Sequence, residues 1–282
     1  MEVKSLLMGI RGVSLPFTDY CEPIADSETS FKDILYSALD YGKKRRWKFI
    51  EIRGGQGLLN APLSFSTYYS HKLSLQNDVE KLYHNFRKGT KSSIKKAYTE
   101  GVKVKIFSSL ESVKEFYELN CITRRHHGLP PQPWRFFQQI YNAFISKDFG
   151  IVILASYKTA IVAGALFLCF GDSAIYKYSA SYQKNKHLSA TNLILWEAIQ
   201  HYALRGIKSL SFGRTDFNNE GLRTFKRGWG TEEQIINYYL YEITGKFKQN
   251  HSTVSTFAKK VFRKMPLFLL KEIGNIAYGQ FG

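Results

Sequence analysis

The sequence predicts an α+β protein built from two related sheet-and-helix units in tandem, the first of them truncated. Three observations carry this expectation. Phe31–Gly54 and Leu193–Gly213 each run helix, basic turn, strand and Arg/Gly elbow. Each elbow leads into an aromatic, strand-like stretch, Phe65–Leu75 in the first half and Gln234–Tyr241 in the second. A self-similar unit of this kind reads as a duplication, and only the second copy has a full set of strand-like runs before it. A chain of 282 residues, 44% hydrophobic and 15% aromatic, can bury the core this needs, and its length favours about two domains.

From the N-terminus, the first half opens on Leu15–Tyr20, placed where the exit of a third strand should stand. The opening strands are therefore expected to be missing, leaving an exposed sheet edge. Phe31, Ile34, Leu35, Ala38 and Leu39 recur at helical spacing behind Ser30 and Asp33, which read as a capping box, and Trp47–Ile52 reads as a strand. The second half has its lead-in: Val102–Phe107 as a strand, then a helix from Leu110 to Arg125 opened by Ser108 and Glu111. Strands Gly150–Ser156, Ile161–Phe170 and Ala174–Ser181 follow, separated by Lys158-Thr159 and Gly171-Asp172 turns. Leu193, Trp196, Ile199 and Ala203 form the next helical stripe, stopped by Gly206, and Lys208–Phe212 is the strand after it. The expected division is 1–83 for the truncated unit, 84–245 for the complete one and 246–282 for a basic amphipathic tail.

In that tail Lys246, Lys248, Lys259, Lys260, Arg263, Lys264 and Lys271 face only Glu272, while Phe257, Val261, Phe262, Leu267, Phe268, Leu269, Leu270, Ile273 and Ile276 supply apolar surface. Pro266 is expected to start a second short helix. Two readings stay open. The tail rests on an anionic membrane surface, or it packs back across the first unit and covers the sheet edge.

Forty Lys/Arg against 23 Asp/Glu give a net charge of +17, concentrated at Lys43–Arg46, Arg87–Lys96 and Lys259–Lys264. Such a field attracts polyanions: RNA, anionic lipid or phosphorylated substrates. Cys21, Cys121 and Cys169 are scattered, which fits reduced structural thiols in a cytosolic protein. No signal-like segment follows Met1, and no window approaches the ~18 apolar residues of a membrane span. The expected location is cytoplasmic, with a peripheral place on the inner face of the membrane as its extension. His126 and His127 have no third ligand at useful spacing, so no metal site is expected; they read as part of a proline-stiffened loop walling an acceptor cleft.

Three separated signatures identify a family resemblance. The basic stretch Phe86–Val104 feeds a strand and precedes a helix-plus-meander unit; Gly213-Arg214 is followed by Gly221–Gly230, with Phe225-Lys226 inside it; and Ser14–Tyr20 forms a serine-leucine-proline-phenylalanine segment. In this order they resemble FemAB-like proteins, members of the wider GNAT acyltransferase superfamily that include the BioF2-like acetyltransferase domain and the peptidoglycan interpeptide-bridge aminoacyltransferases. The resemblance implies an enzyme of tandem GNAT-like fold that transfers an acyl group to an amine. In the Fem branch the donor is aminoacyl-tRNA and the acceptor a peptidoglycan precursor. Other members use acyl-CoA, and neither donor is a tightly bound cofactor.

Attack of an amine on an ester or thioester needs a proton acceptor, a donor aimed at the developing oxyanion and positive charge for phosphates. Lys226 matches the family's phenylalanine-lysine position and is the first catalytic candidate, with Phe225 as a wall of the donor channel. Arg214 and Asp216 lie in the loop after a strand; Asp216 is a base or acceptor-orienting group, or else a helix cap. Tyr178, with Tyr182 near it, ends the meander close to the expected donor carbonyl. Asp19 and Tyr20 are expected to face the acceptor, and Arg87 and Lys91 to hold its phosphates. Gln183, Lys184 and Lys186 stand on the loop where CoA-using members cradle pyrophosphate, but Lys186 and Leu188 occupy positions where glycines should let phosphates approach. That departure tilts the donor toward aminoacyl-tRNA. The alternatives are an acetyl-CoA-dependent N-acetyltransferase acting on a sugar or polysaccharide precursor, and a non-catalytic pseudoenzyme that binds RNA or membrane.

Overall fold

In a computed structural model, which describes residues 1–5, 9–55, 65–243 and 255–280, the described strands join one ten-stranded mixed sheet. The first half contributes β1 (Glu2–Ser5), β2 (Gly9–Val13), α1 (Glu28–Lys44), β3 (Phe49–Arg53) and β4 (Ser66–Ser74). A junction of α2 (Val79–Asn85) and α3 (Lys88–Thr99) leads to β5 (Lys103–Phe107), α4 (Leu110–His126) and α5 (Trp134–Ala143). The second half continues through β6 (Gly150–Tyr157), β7 (Ala160–Phe170), β8 (Ser173–Ser181), α6 (Ala190–Leu204), β9 (Ser209–Asp216), α7 (Glu220–Arg227) and β10 (Glu232–Glu242). Two helices, α8 (Thr256–Lys264) and α9 (Leu267–Ala277), close the described chain. The fold is α+β, as expected.

Across the sheet the order is β1-β2-β3-β10-β4-β9-β8-β7-β6-β5. The first eight positions read the same from either side once each strand is replaced by its counterpart. β1–β2 and β7–β8 are antiparallel pairs, β2–β3 and β8–β9 are parallel pairs, and the last strand of each half crosses over, β10 beside β3 and β4 beside β9. Among the described residues β5 and β6 have no first-half counterpart. The first half does open on strands, against expectation, because β1 and β2 precede Leu15. They escape sequence reading because Glu2–Ser5 and Gly9–Val13 are too short and polar for a clear alternation of period two.

That alternation is clear in the second half and sorts side chains into two cores. Val152 and Leu154 of β6 point to one face with Val113, Phe116 and Phe137 of α4 and α5; Ile153 and Ala155 point to the other with Ile94 and the α6 residues Leu193, Ile194 and Ala198. Helices therefore cover both faces of this half. A smaller cluster of Phe31, Leu35, Trp47, Ile50, Ile52 and Tyr239 seats α1 on the first half.

Helix starts follow local side-chain chemistry, displaced from the expected positions. Ser27, not Ser30, caps α1: its hydroxyl accepts from Ser30 N at 3.1 Å. Likewise Ser109, not Ser108, caps α4 through Ser112 N. Both are the residue whose side-chain oxygen reaches the N–H three positions on, the usual cap geometry.

The tail docks on α4. Lys271 Nζ donates to both Glu118 carboxylate oxygens at 2.8 Å, Leu270 is fully buried, and Gly274 lies so close to Pro131 O that a Cβ would sit 2.1 Å from it. Pro266 precedes α9, as expected, and the turn after α9 also meets β1 at the sheet edge. Lys246, Lys248 and the 245/246 boundary lie outside the described residues.

Candidate active site

β8 and β9 are parallel and paired only from Ser173↔Ser209 to Ile175↔Ser211; beyond that register no pairing joins them. Where the two strands part, residues 15–19 bond to both of them. Lys177 Nζ on β8 donates to Phe17 O at 2.8 Å, and Arg214 N on β9 donates to Asp19 Oδ2 at 3.3 Å. The first-half elbow grips the same stretch, since Arg53 Nη1 donates to Thr18 O at 2.8 Å. Elbows from both halves thus clasp one segment.

Gly213 explains how close the approach is. Its φ of +69° suits glycine, and an added Cβ would lie 2.7 Å from Asp19 Oδ2. Behind it, Lys226 on α7 is only 5% exposed and donates from Nζ to Gly213 O at 2.9 Å and to Arg214 O at 2.8 Å. An ammonium carries three N–H donors, so one is left over among the described residues. Burial pushes Lys226 down to about 8, partly opposed by the carboxylates of Asp19 and Asp216. At neutral pH the group remains largely a cation, held in place and within reach of deprotonation.

Arg214 is fixed on its other side by aromatic rings. Its guanidinium lies 4.4 Å from the Tyr68 ring centroid and donates from Nη1 to Tyr238 Oη at 2.7 Å, while Tyr238 in turn donates to Asp19 O at 2.6 Å. The resulting cluster of Lys177, Arg214, Lys226, Arg53 and Asp19 is markedly cationic. Burial, together with Arg214 and Arg53, pushes Lys177 down as well.

Of the expected residues, the structure brings Asp19, Arg214, Lys226 and Asp216 together. Asp216 is exposed at the end of β9. Phe225 packs edge-on against buried Trp229 beside the main core. Tyr178 is half-buried among Phe136, Phe137 and Tyr278, and burial with Tyr278 and Asp19 nearby raises its hydroxyl well above the usual range. Tyr20 is exposed, hydrogen-bonded to Glu22, and pushed up to about 12 by burial and that carboxylate.

The other expected residues stand apart. Exposed Gln183, Lys184 and Lys186 lie on the 3-10 turn before α6, with no hydrogen bond or ion pair to the Lys226 group among the described residues. Leu188 there is fully buried, occupying space that a glycine would leave open. Arg87 and Lys91 begin α3, where Lys91 Nζ donates to His84 O at 3.1 Å, while Thr90 between them bonds Gly228 O at the end of α7. Sequence reading missed Lys177, Tyr238 and Arg53. Lys177 did leave a signal: the one charged residue of its strand, set between Tyr176 and Tyr178.

Parallel strands parted around bonded polar groups, with helices on both faces of the sheet, define a GNAT-like acyltransferase architecture. The family model for the acetyltransferase (GNAT) domain matches residues 84–227, and the chain belongs to that family. It is 26% identical over 198 residues to the UDP-N-acetylmuramoylpentapeptide-lysine N(6)-alanyltransferase of Weissella viridescens, covering 66% of this chain and 56% of that protein. Against the lipid II:glycine glycyltransferase of Staphylococcus haemolyticus it is 27% identical over 125 residues, covering 39% and 30%. The chain thus spans about half the length of the first of these relatives, and less of the second. The crystal structure of FemX has the same fold, with a TM-score of 0.59 and 16% identity over 74% of this chain and 76% of that one.

Proposed function

We propose that this protein is an N-acyltransferase that moves an aminoacyl group from aminoacyl-tRNA to an amine of a cell-envelope precursor, in the opening between β8 and β9. The observation that carries this reading is Lys226: a buried cation, anchored on two carbonyl oxygens of the β9 elbow, with a donor to spare. When the acceptor amine attacks the ester carbonyl, negative charge grows on the carbonyl oxygen, and a fixed ammonium in a site of low dielectric opposes it at little reorganisation cost. The amine sheds a proton to Asp216, the proposed acceptor; the ester C–O bond then breaks, and that proton passes to the departing ribose oxygen, which leaves as the tRNA terminal hydroxyl. Arg214 and Phe225 position the donor; Asp19, Tyr20, Arg87 and Lys91 face the acceptor; Tyr178 shapes the wall near the carbonyl.

Two features support aminoacyl-tRNA over CoA. The loop before α6 lacks phosphate-cradling glycines, its Lys184 and Lys186 presenting side-chain charge instead beside the neutral amide of Gln183, and the curated relatives named above are an alanyltransferase and a glycyltransferase. The functional division proposed is 1–83, 84–245 and a tail, 246–282, that rests on the anionic inner face of the membrane, where a lipid-linked acceptor would lie. Among the described residues no helix is long and apolar enough to cross a membrane.

The test is transfer of label to a muramyl-pentapeptide precursor, nucleotide- or lipid-linked, from radiolabelled aminoacyl-tRNA and separately from acetyl-CoA. Label is expected from the tRNA alone. Transfer only from acetyl-CoA would replace this donor, and transfer from neither would leave the enzymatic reading without support.

A further inference from the structure

A second cationic site lies away from Lys226. At the end of α4 a cavity of about 430 Å³ is lined by Arg125, His126, His127, Gln183 and Arg263, with no carboxylate among its lining residues. Three elements build it: the α4 terminus, the turn after β8, and α8 from the tail. Arg263 is pinned by donating from Nε to His126 O at 3.1 Å, and α8 approaches so closely that a Cβ on Gly128 would lie 2.4 Å from Lys259 O. Burial, and after it the neighbouring His126, Arg124, Arg263 and Lys186, push His127 down. Two arginine forks in such a pocket match a phosphate group better than a point charge does.

The surroundings say which kind of phosphate. Phe257 and Val261 share the outer face of α8 with Lys260 and Lys264, at helical spacing i, i+4 and i+3, i+7. Phe257, Phe268 and Ile276 are 77%, 67% and 78% exposed, and Leu269 and Val261 are also exposed. A nucleic acid backbone has no use for a cluster of exposed aliphatic and aromatic side chains, whereas the headgroup–acyl boundary of a bilayer covers them. We infer that α8, α9 and the adjoining Arg125–Arg263 cavity form a docking site for an anionic phospholipid, its phosphate in the cavity and the apolar side chains in the interface. This rests on the peripheral placement proposed above and adds to it a particular headgroup pocket.

The test uses the full chain in vesicle flotation, with phosphatidylglycerol-containing vesicles and purely phosphatidylcholine ones. Wild type is expected to float with the first and not the second. The double variant Arg125→Gln/Arg263→Gln should lower partitioning roughly 30-fold, on the order of fivefold per basic residue at an anionic surface. The charge-matched Lys95→Gln/Lys96→Gln variant, on α3 against the opposite face of the sheet, should change it less than about threefold. Because Arg263 also braces α8, wild-type NMR provides an independent reading: short-chain phosphatidylglycerol should move the imidazole signals of His126 and His127 at concentrations where inorganic phosphate does not. A wild type that fails to float removes the peripheral placement and the pocket together. Equal losses in the two double variants, or an equal response to inorganic phosphate, remove only the pocket. If an RNA oligonucleotide moves the imidazole signals and the lipid does not, the cavity is a nucleic-acid site instead.

Discussion

In the proposed reaction Lys226 carries the chemistry in one side chain, and its removal should be felt in turnover more than in substrate affinity. Lys226→Ala takes away the fixed donor while leaving Gly213 O and Arg214 O without it, so the rate of transfer should fall about 100-fold, the usual cost of one oxyanion donor. Steady-state kinetics with aminoacyl-tRNA check this; an unchanged rate would place Lys226 outside the site. The same residue sets a pH dependence. With the amine pushed down to about 8, the cationic form is lost as pH rises through that value, so the pH–rate profile should have a descending limb near 8. Lys226→Arg should abolish that limb. Stability moves the other way: the unfolded chain keeps the proton up to about 10.5, the folded one releases it near 8, and folding is therefore favoured by raising pH across this window. Opposite signs for rate and stability separate a titrating Lys226 from general alkaline unfolding.

The tail helices have a different vulnerability, held by close backbone approach around a single fully buried side chain, Leu270. Gly274 on α9 has no room for a Cβ beside Pro131 O, so Gly274→Val must lift the helix or shift the 130–133 loop. Overpacking of this kind costs about 1–3 kcal/mol. Limited proteolysis should then cut the tail well before the rest of the chain, and wild type should resist under the same conditions. Comparable cleavage of both would show that α9 is not held there. Elements of this molecule were legible in the sequence in proportion to how much apolar pattern they carry. β6 and β7 were found within a residue or so because each is a nearly unbroken apolar run buried on both faces, β8 because the Gly171-Asp172 turn marks its start, and α6 because Leu193, Ile199 and Ala203 repeat at helical spacing. β1 and β2 were missed because four or five residues with Glu2, Lys4 and Arg11 carry too little pattern. Within the site, Lys226 was legible through its neighbours in sequence, while Lys177, Arg53 and Tyr238 were not, because what gathers them is the carbonyl row of residues 15–19 and no local motif encodes that meeting.

At the scale of the molecule the decisive feature is the reciprocal crossing of β4 and β10. Each terminal strand of one half lies between strands of the other, so neither half owns a complete sheet. If residues 84–282 were produced alone, β10 would lose β3 on one side and β4 on the other, and β9 would lose β4, stripping partners from the registers Tyr238↔Arg53, Ile235↔Tyr69 and Thr215↔Tyr69 at once. Unpaired backbone groups in buried strands are costly, and the freed edges are templates for association. The expectation is that 84–282 aggregates or stays partly folded, although it contains the whole stretch 84–227 matched by the GNAT family model. The full chain should instead unfold in one transition, with far-UV and near-UV circular dichroism and tryptophan fluorescence superimposing, since Trp47 reports on the first half and Trp134, Trp196 and Trp229 on the second. Two resolved transitions, or a soluble 84–282 with a cooperative melt of its own, would mean that the crossed strands are an ornament on an independent second unit and that the opening between β8 and β9 does not depend on the first half's Asp19 and Arg53 to hold its shape.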